Sequence, residues 1–133
     1  MSSDYRLFES IAGRGVPSSD LPFSPAVRCG EFVFVSGQAS VDGEGRIVSD
    51  TFSGEMRRSF ENLRHVLAGA GLTLRNVVKL SAFVAQQEDL PEFNRIYREY
   101  FDQPYPARTT IVGCLGDLLK FEVDAIAVHP PLE

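Results

Sequence analysis

The chain has 133 residues, 44% of them hydrophobic and 23% charged, with a net charge of −5. That mix is ordinary for one globular domain with a real core, which argues against disorder or a fibrous protein. The acidic balance and the scatter of the 13 lysines and arginines argue against a nucleic-acid surface, and no apolar run approaches the roughly 20 residues of a membrane span.

The start, "MSSDYRLFES", has neither a basic nor an apolar leader segment, so no signal peptide is expected. The stretch "IAGRGVPSSDLPFSP" that follows is rich in Gly, Pro and Ser and reads as loop. From Val27 the pattern changes. "VRCGEFVFVSG" reads as two short strands around a Gly30-Glu31 turn, the second ended by Gly37, and "VDGEGRIV" reads as a hairpin turning at Asp42-Gly43. Period 3.6 then takes over. Met56, Phe60, Leu63, Val66, Leu67 and Ala70 recur at helical spacing, with Asp50, Thr51 and Ser53 as capping candidates and Gly71 as a stop. "VVKLSAFV" (77–84) is a strand and "DLPEFNRIYREYF" (89–101) a second helix, with Asp89 as a candidate N-cap and Pro91 in the first turn. Two further strands are expected at 108–114 and 120–128.

The order β-β-(β)-α-β-α-β-β predicts one α+β domain over residues 1–133: a mixed sheet with two helices on one face. No repeat or linker divides it. Half-apolar strands such as "FEVDAIAV" imply that the other sheet face is covered by a further copy of the chain.

Few residues announce chemistry. Cys29 and Cys114 have no CxxC spacing and are expected to be buried, reduced thiols in a cytoplasmic protein. His65 sits among Arg57, Arg58, Glu61, Asn62 and Arg64, on an expected solvated helix face, and His129 belongs to the tail. No Cys/His cluster suggests a metal, and "GRG" and "DGEG" lack the strand-to-helix setting of a phosphate loop.

Arg108 stands out. It follows Pro106-Ala107 at the head of a strand, where five permanently charged donors need acceptors. Alternation puts Glu122, Asp124 and Ile126 on one side of the last strand, and Phe121, Val123, Ala125 and Ala127 on the other. If the last two strands form a hairpin around "LGDLL", Arg108 and Glu122 lie on neighbouring strands. Whether they share a face depends on register, which alternation does not fix. Two readings stay open: a cross-strand ion pair at a subunit seam, or Arg108 receiving a small carboxylate while Glu122 handles water or a proton.

The segments "LPFSPAVRCGEFVFVSGQ", "ENLRHVLAGAGLTLRNVVKLSAFV", "EFNRIYREYF", "YPARTT" and "FEVDAIAV" together resemble the RidA (YjgF) family of reactive-intermediate deaminases, from Pro22 to Val128. The resemblance implies a chorismate-mutase-like subunit in a barrel-shaped homotrimer, with clefts between subunits. It implies hydrolysis of enamine and imine acids such as 2-aminoacrylate to 2-keto acids and ammonia, without metal or organic cofactor. By the same resemblance Arg108 binds the substrate carboxylate and Glu122 orients or activates water. Thr110, Gly37 and Asn94 match pocket positions. The chain departs from the family pattern in three places. Phe23 follows Pro22 where the archetypes carry Tyr, Thr110 replaces a frequent cysteine, and "GCLGDLLK" lacks the Leu-Pro turn. Phe23 makes the expected pocket more apolar. That keeps two alternatives in view: a non-catalytic trimeric binder of small carboxylates, and a pathway-specific hydrolase of a larger intermediate.

Overall fold

A computed structural model describes residues 7–13, 15–17 and 19–130. It contains strands β1 (Glu9–Ile11), β2 (Ala26–Cys29), β3 (Phe32–Ala39), β4 (Val77–Val84), β5 (Ala107–Val112) and β6 (Phe121–Val128), with helices α1 (Phe52–Gly69) and α2 (Leu90–Tyr100). The six strands form one sheet in the order β1-β2-β3-β6-β4-β5. All neighbours are antiparallel except β4 and β5, which run parallel because α2 carries the chain back between them. No helix among the described residues is long and apolar enough to cross a membrane.

Local signals explain both helices. Thr51, in extended conformation, accepts a bond from Gly54 N at 3.1 Å and so caps α1. Gly71 takes φ +76° just after the helix, a conformation that L side chains rarely adopt. Asp89 precedes α2 without a side-chain cap bond, and Pro91 occupies the first turn, where its missing N–H costs nothing. The apolar stripe of α1 (Phe52, Met56, Phe60, Leu63, Val66, Leu67) is buried against the sheet. Phe60, Phe93 and Phe121 join α1, α2 and β6 in one aromatic cluster, with Phe121 5.8 Å from each of the other two rings.

Four expectations change. The stretch before Val27 is not all loop, since Glu9–Ile11 pairs with β2; three edge residues are too few to show a period. Gly37 does not end its strand but lies in a register shift between Val35 and Gln38, after which pairing resumes. The expected 41–48 hairpin reduces to a single Val41–Ile47 bridge, with Asp42 Oδ1 accepting from Glu44 N and Arg46 N. Most consequentially, β5 and β6 are not a hairpin. β4 lies between them, so residues 113–120 cross two strand spacings, about 10 Å. Gly113 and Gly116, at φ +91° and +69°, turn the chain for that crossing.

Candidate functional site

Register decides where each candidate side chain goes. Leu80 of β4 pairs with both Arg108 and Ala125, whereas Phe83 pairs with both Ile111 and Glu122. Residues that pair point to the same face. Arg108 and Thr110 therefore share the helix-covered face with Ala125, and Glu122 shares the open face with Ile111. Within one chain Arg108 and Glu122 lie on opposite faces of the sheet with β4 between them. The cross-strand ion pair does not form inside the subunit.

On the helix side, Arg108 rests on an aromatic platform. Its guanidinium carbon lies 4.8 Å from the Phe93 ring centre and 4.8 Å from that of Tyr97, two α2 residues one turn apart. Both rings are buried, so this cation–π support is shielded from solvent on one side. Among the described residues the Arg108 guanidinium makes no ion pair and no hydrogen bond. It opens onto a hollow of about 190 Å³ lined by Asn94, Tyr97, Arg98, Tyr105, Pro106 and Arg108. Asn94 is oriented by its Nδ2, which donates to Leu90 O at 3.2 Å. Burial pushes the Tyr97 phenol up from its ordinary pKa, Arg108 opposes that shift, and the hydroxyl has no partner among the described residues. Thr110, half-buried, follows Arg108 on the same face without lining this hollow.

On the other side, the Glu122 carboxylate sits beneath Gly37. A Cβ on Gly37 would lie 2.6 Å from Glu122 Oε2 and 3.0 Å from its Cδ, so the missing side chain makes room for the carboxylate. Burial, with a smaller contribution from the charge of Asp124, holds the Glu122 carboxyl above the usual carboxylate range. Gly37 and Phe23 line one hollow of about 170 Å³, together with Leu21, Pro25, Gln38 and Val41. The structure thus groups Arg108 with Asn94, Glu122 with Gly37, and Gly37 with Phe23. It does not bring the two groups together within one chain.

Some positioning residues escaped the sequence reading. Asn62 lies not on the solvated face but buried in α1, its Nδ2 donating to Ala39 O at 2.9 Å and Val41 O at 3.0 Å. It thereby fixes the strand end just past Gly37. Its place between Ser59 and Leu63 in the buried stripe was the available signal. Buried Glu55 accepts from Lys120 N at 2.9 Å and Lys120 Nζ at 3.2 Å, and so anchors the entry to β6 two residues before Glu122. Phe93 and Tyr97, spaced i,i+4, lay within the second expected helix without a signal of their own. Cys29 and Cys114 are exposed rather than buried, because the first ends β2 at the turn and the second lies in the crossing loop. His65 is exposed on α1, as expected. Among the described residues no three His, Cys, Asp or Glu side chains gather as metal ligands.

A sheet with two helices on one face, an arginine with no carboxylate partner among the described residues beside α2 and a half-buried glutamate under a glycine together define the candidate site. The family described as Endoribonuclease L-PSP matches residues 15–129, and the chain belongs to it; this is the RidA (YjgF) family. The chain is 32% identical over 124 residues to the human 2-iminobutanoate/2-iminopropanoate deaminase, covering 92% of this chain and 90% of the relative. It is also 32% identical to the Salmonella typhimurium protein of the same name, covering 91% of this chain and 98% of that one. The crystal structure of E. coli TdcF with bound serine superposes with a TM-score of 0.80 at 30% identity, covering 92% of this chain and 99% of that one.

Proposed function

We infer that this protein hydrolyses small enamine and imine acids of the 2-aminoacrylate type to 2-keto acids and ammonia, in clefts completed by neighbouring copies of a homotrimer. One observation carries the reading. The guanidinium, unpaired among the described residues, and the half-buried carboxylate occupy opposite faces of one subunit, so only a second copy can set one before the other. The open face that carries Glu122 supports such an assembly, since Phe32 and Phe34 on it remain 46% and 42% exposed. The names of the human and Salmonella relatives support the chemistry. The serine bound to TdcF supports a site for a small amino-acid-like molecule.

In this reading Arg108, supported by Phe93 and Tyr97, grips the substrate carboxylate in bidentate fashion. Glu122 accepts a proton from water as the water oxygen adds to the imine carbon. The C–N bond then breaks and ammonia leaves. Imines hydrolyse unaided, so positioning and one general base suffice; the base contributes on the order of 10²-fold or more. Phe23 presents an apolar ring beside Gly37 in the same hollow.

The test is a coupled assay. A pyridoxal-phosphate dehydratase generates 2-aminoacrylate, and keto-acid formation is followed with wild type, Arg108→Ala and no protein. Acceleration by wild type alone is expected. A folded oligomer that gives no acceleration rejects the reading and favours the non-catalytic carboxylate binder.

A further inference from the structure

Arg108 shares its hollow with a second guanidinium. Arg98, in the last turn of α2, lines the same cavity, and no carboxylate does. The other helix arginines are neutralised. Arg57 pairs with Glu99 at 2.9 Å, Arg58 with Asp50 at 3.4 Å, Arg64 with Glu61 at 3.3 Å and Arg95 with Glu92 at 3.3 Å. Arg98 has no carboxylate partner among the described residues; its one bond runs from Nη1 to Asn94 O at 3.3 Å, which ties it to another wall residue of the cavity. Within one subunit two guanidinia without a carboxylate partner among the described residues line this one hollow, so an anion carrying two carboxylates can neutralise both. A monocarboxylate on Arg108 leaves Arg98 without a counter-charge.

We propose that this cavity selects dicarboxylic 2-imino and 2-keto acids, with the carboxylate next to the reacting carbon on Arg108 and the distal carboxylate on Arg98. The assignment rests on the deaminase reading and names its substrate class. The chemistry is the same hydrolysis: water oxygen bonds to the imine carbon, the C–N bond breaks with its electrons on nitrogen, and ammonia departs carrying both protons of the water, whose oxygen stays as the keto group. The product is a 2-keto dicarboxylate, and no electrons are exchanged with a further reactant. The step that supplies the substrate must therefore oxidise, or eliminate from, an amino acid with an acidic side chain.

The test is calorimetric titration with 2-oxoglutarate and 2-oxopentanoate, which share a five-carbon 2-keto acid frame and differ at the distal carboxylate. Wild type is expected to prefer 2-oxoglutarate by about tenfold, the return on one charge-assisted pair. Arg98→Ala should bring that ratio close to one, Arg98→Lys should keep part of it, and Arg108→Ala should lose both ligands. A wild-type ratio near one, or an Arg98→Ala variant that weakens both ligands alike, overturns the dicarboxylate assignment and leaves the Arg108 clamp standing. Retention of both ligands by Arg108→Ala, or no binding of either by wild type, overturns the clamp and the assignment together.

Discussion

Two side chains and one missing side chain carry the chemistry proposed for this subunit. Gly37 has an ordinary backbone conformation, so its role is spatial. An added methyl would meet Glu122 Oε2 at 2.6 Å, and the carboxylate, at the end of a flexible side chain, would swing away. Gly37→Ala is therefore expected to lower kcat by about tenfold or more, as misplacing a catalytic group does. Its thermal midpoint should stay close to that of wild type, which calorimetry checks. With Glu122 as the proposed base, its carboxyl governs the acid side of the pH profile. Its carboxyl lies above the ordinary range because of burial first and Asp124 second. As pH falls through that raised pKa, Glu122 gains a proton and loses the capacity to accept one from water. The acid limb of kcat/KM should thus fall at a higher pH than an exposed carboxylate gives. Asp124→Asn should move the limb to lower pH without returning it to the exposed position, since burial remains. Stability has the opposite sign. The folded state holds this proton more tightly, so the contribution is complete below the ordinary carboxylate pKa and is lost as pH rises through the raised one.

Helix α2 does two jobs, closing the core and supporting Arg108. Phe93 is fully buried, so Phe93→Ala should cost about 3–5 kcal/mol in denaturant unfolding. Phe93→Leu keeps most of that volume and removes the ring face. It should raise KM more than it lowers stability, because Arg108 loses part of its platform. Asn62→Ala should cost about 1–3 kcal/mol, as it strips a buried donor from Ala39 O and Val41 O. Both helices were legible in the sequence because their apolar stripes repeat with period 3.6 and their ends carry local signals, Thr51 and Gly71 above all. The alternation of β6 was equally legible, since it needs no partner strand. The β5–β6 arrangement was not. Adjacency in sequence suggested a hairpin around "LGDLL", but the pairing of β4 with both strands is a long-range choice that neither strand encodes alone. Arg108 and Glu122 were candidates from their strand context, the RidA resemblance implied their roles, and their placement on opposite faces required the register. Asn62 and Glu55 stayed hidden because a polar residue in a helix reads as solvated until the element covering it is known.

At the scale of the molecule, the sheet has one face closed by helices and one left open, with Phe32 and Phe34 exposed on it. Phe34→Glu places a charge on that open face, where the monomer tolerates it and an interface does not. The variant is expected to run as a monomer in light scattering with its helical signal intact, and to lose deaminase activity with the assembly. The most direct test of a shared cleft is complementation between two inactive variants, Arg108→Ala and Glu122→Gln, unfolded together in equal amounts and reassembled. Each mixed trimer then regains one cleft with an intact arginine from one copy and an intact glutamate from its neighbour. Random mixing should restore roughly a quarter of the wild-type rate, since about three quarters of the trimers are mixed and one cleft in three of each is intact. Reassembled mixtures no more active than either parent would contradict a site divided between subunits.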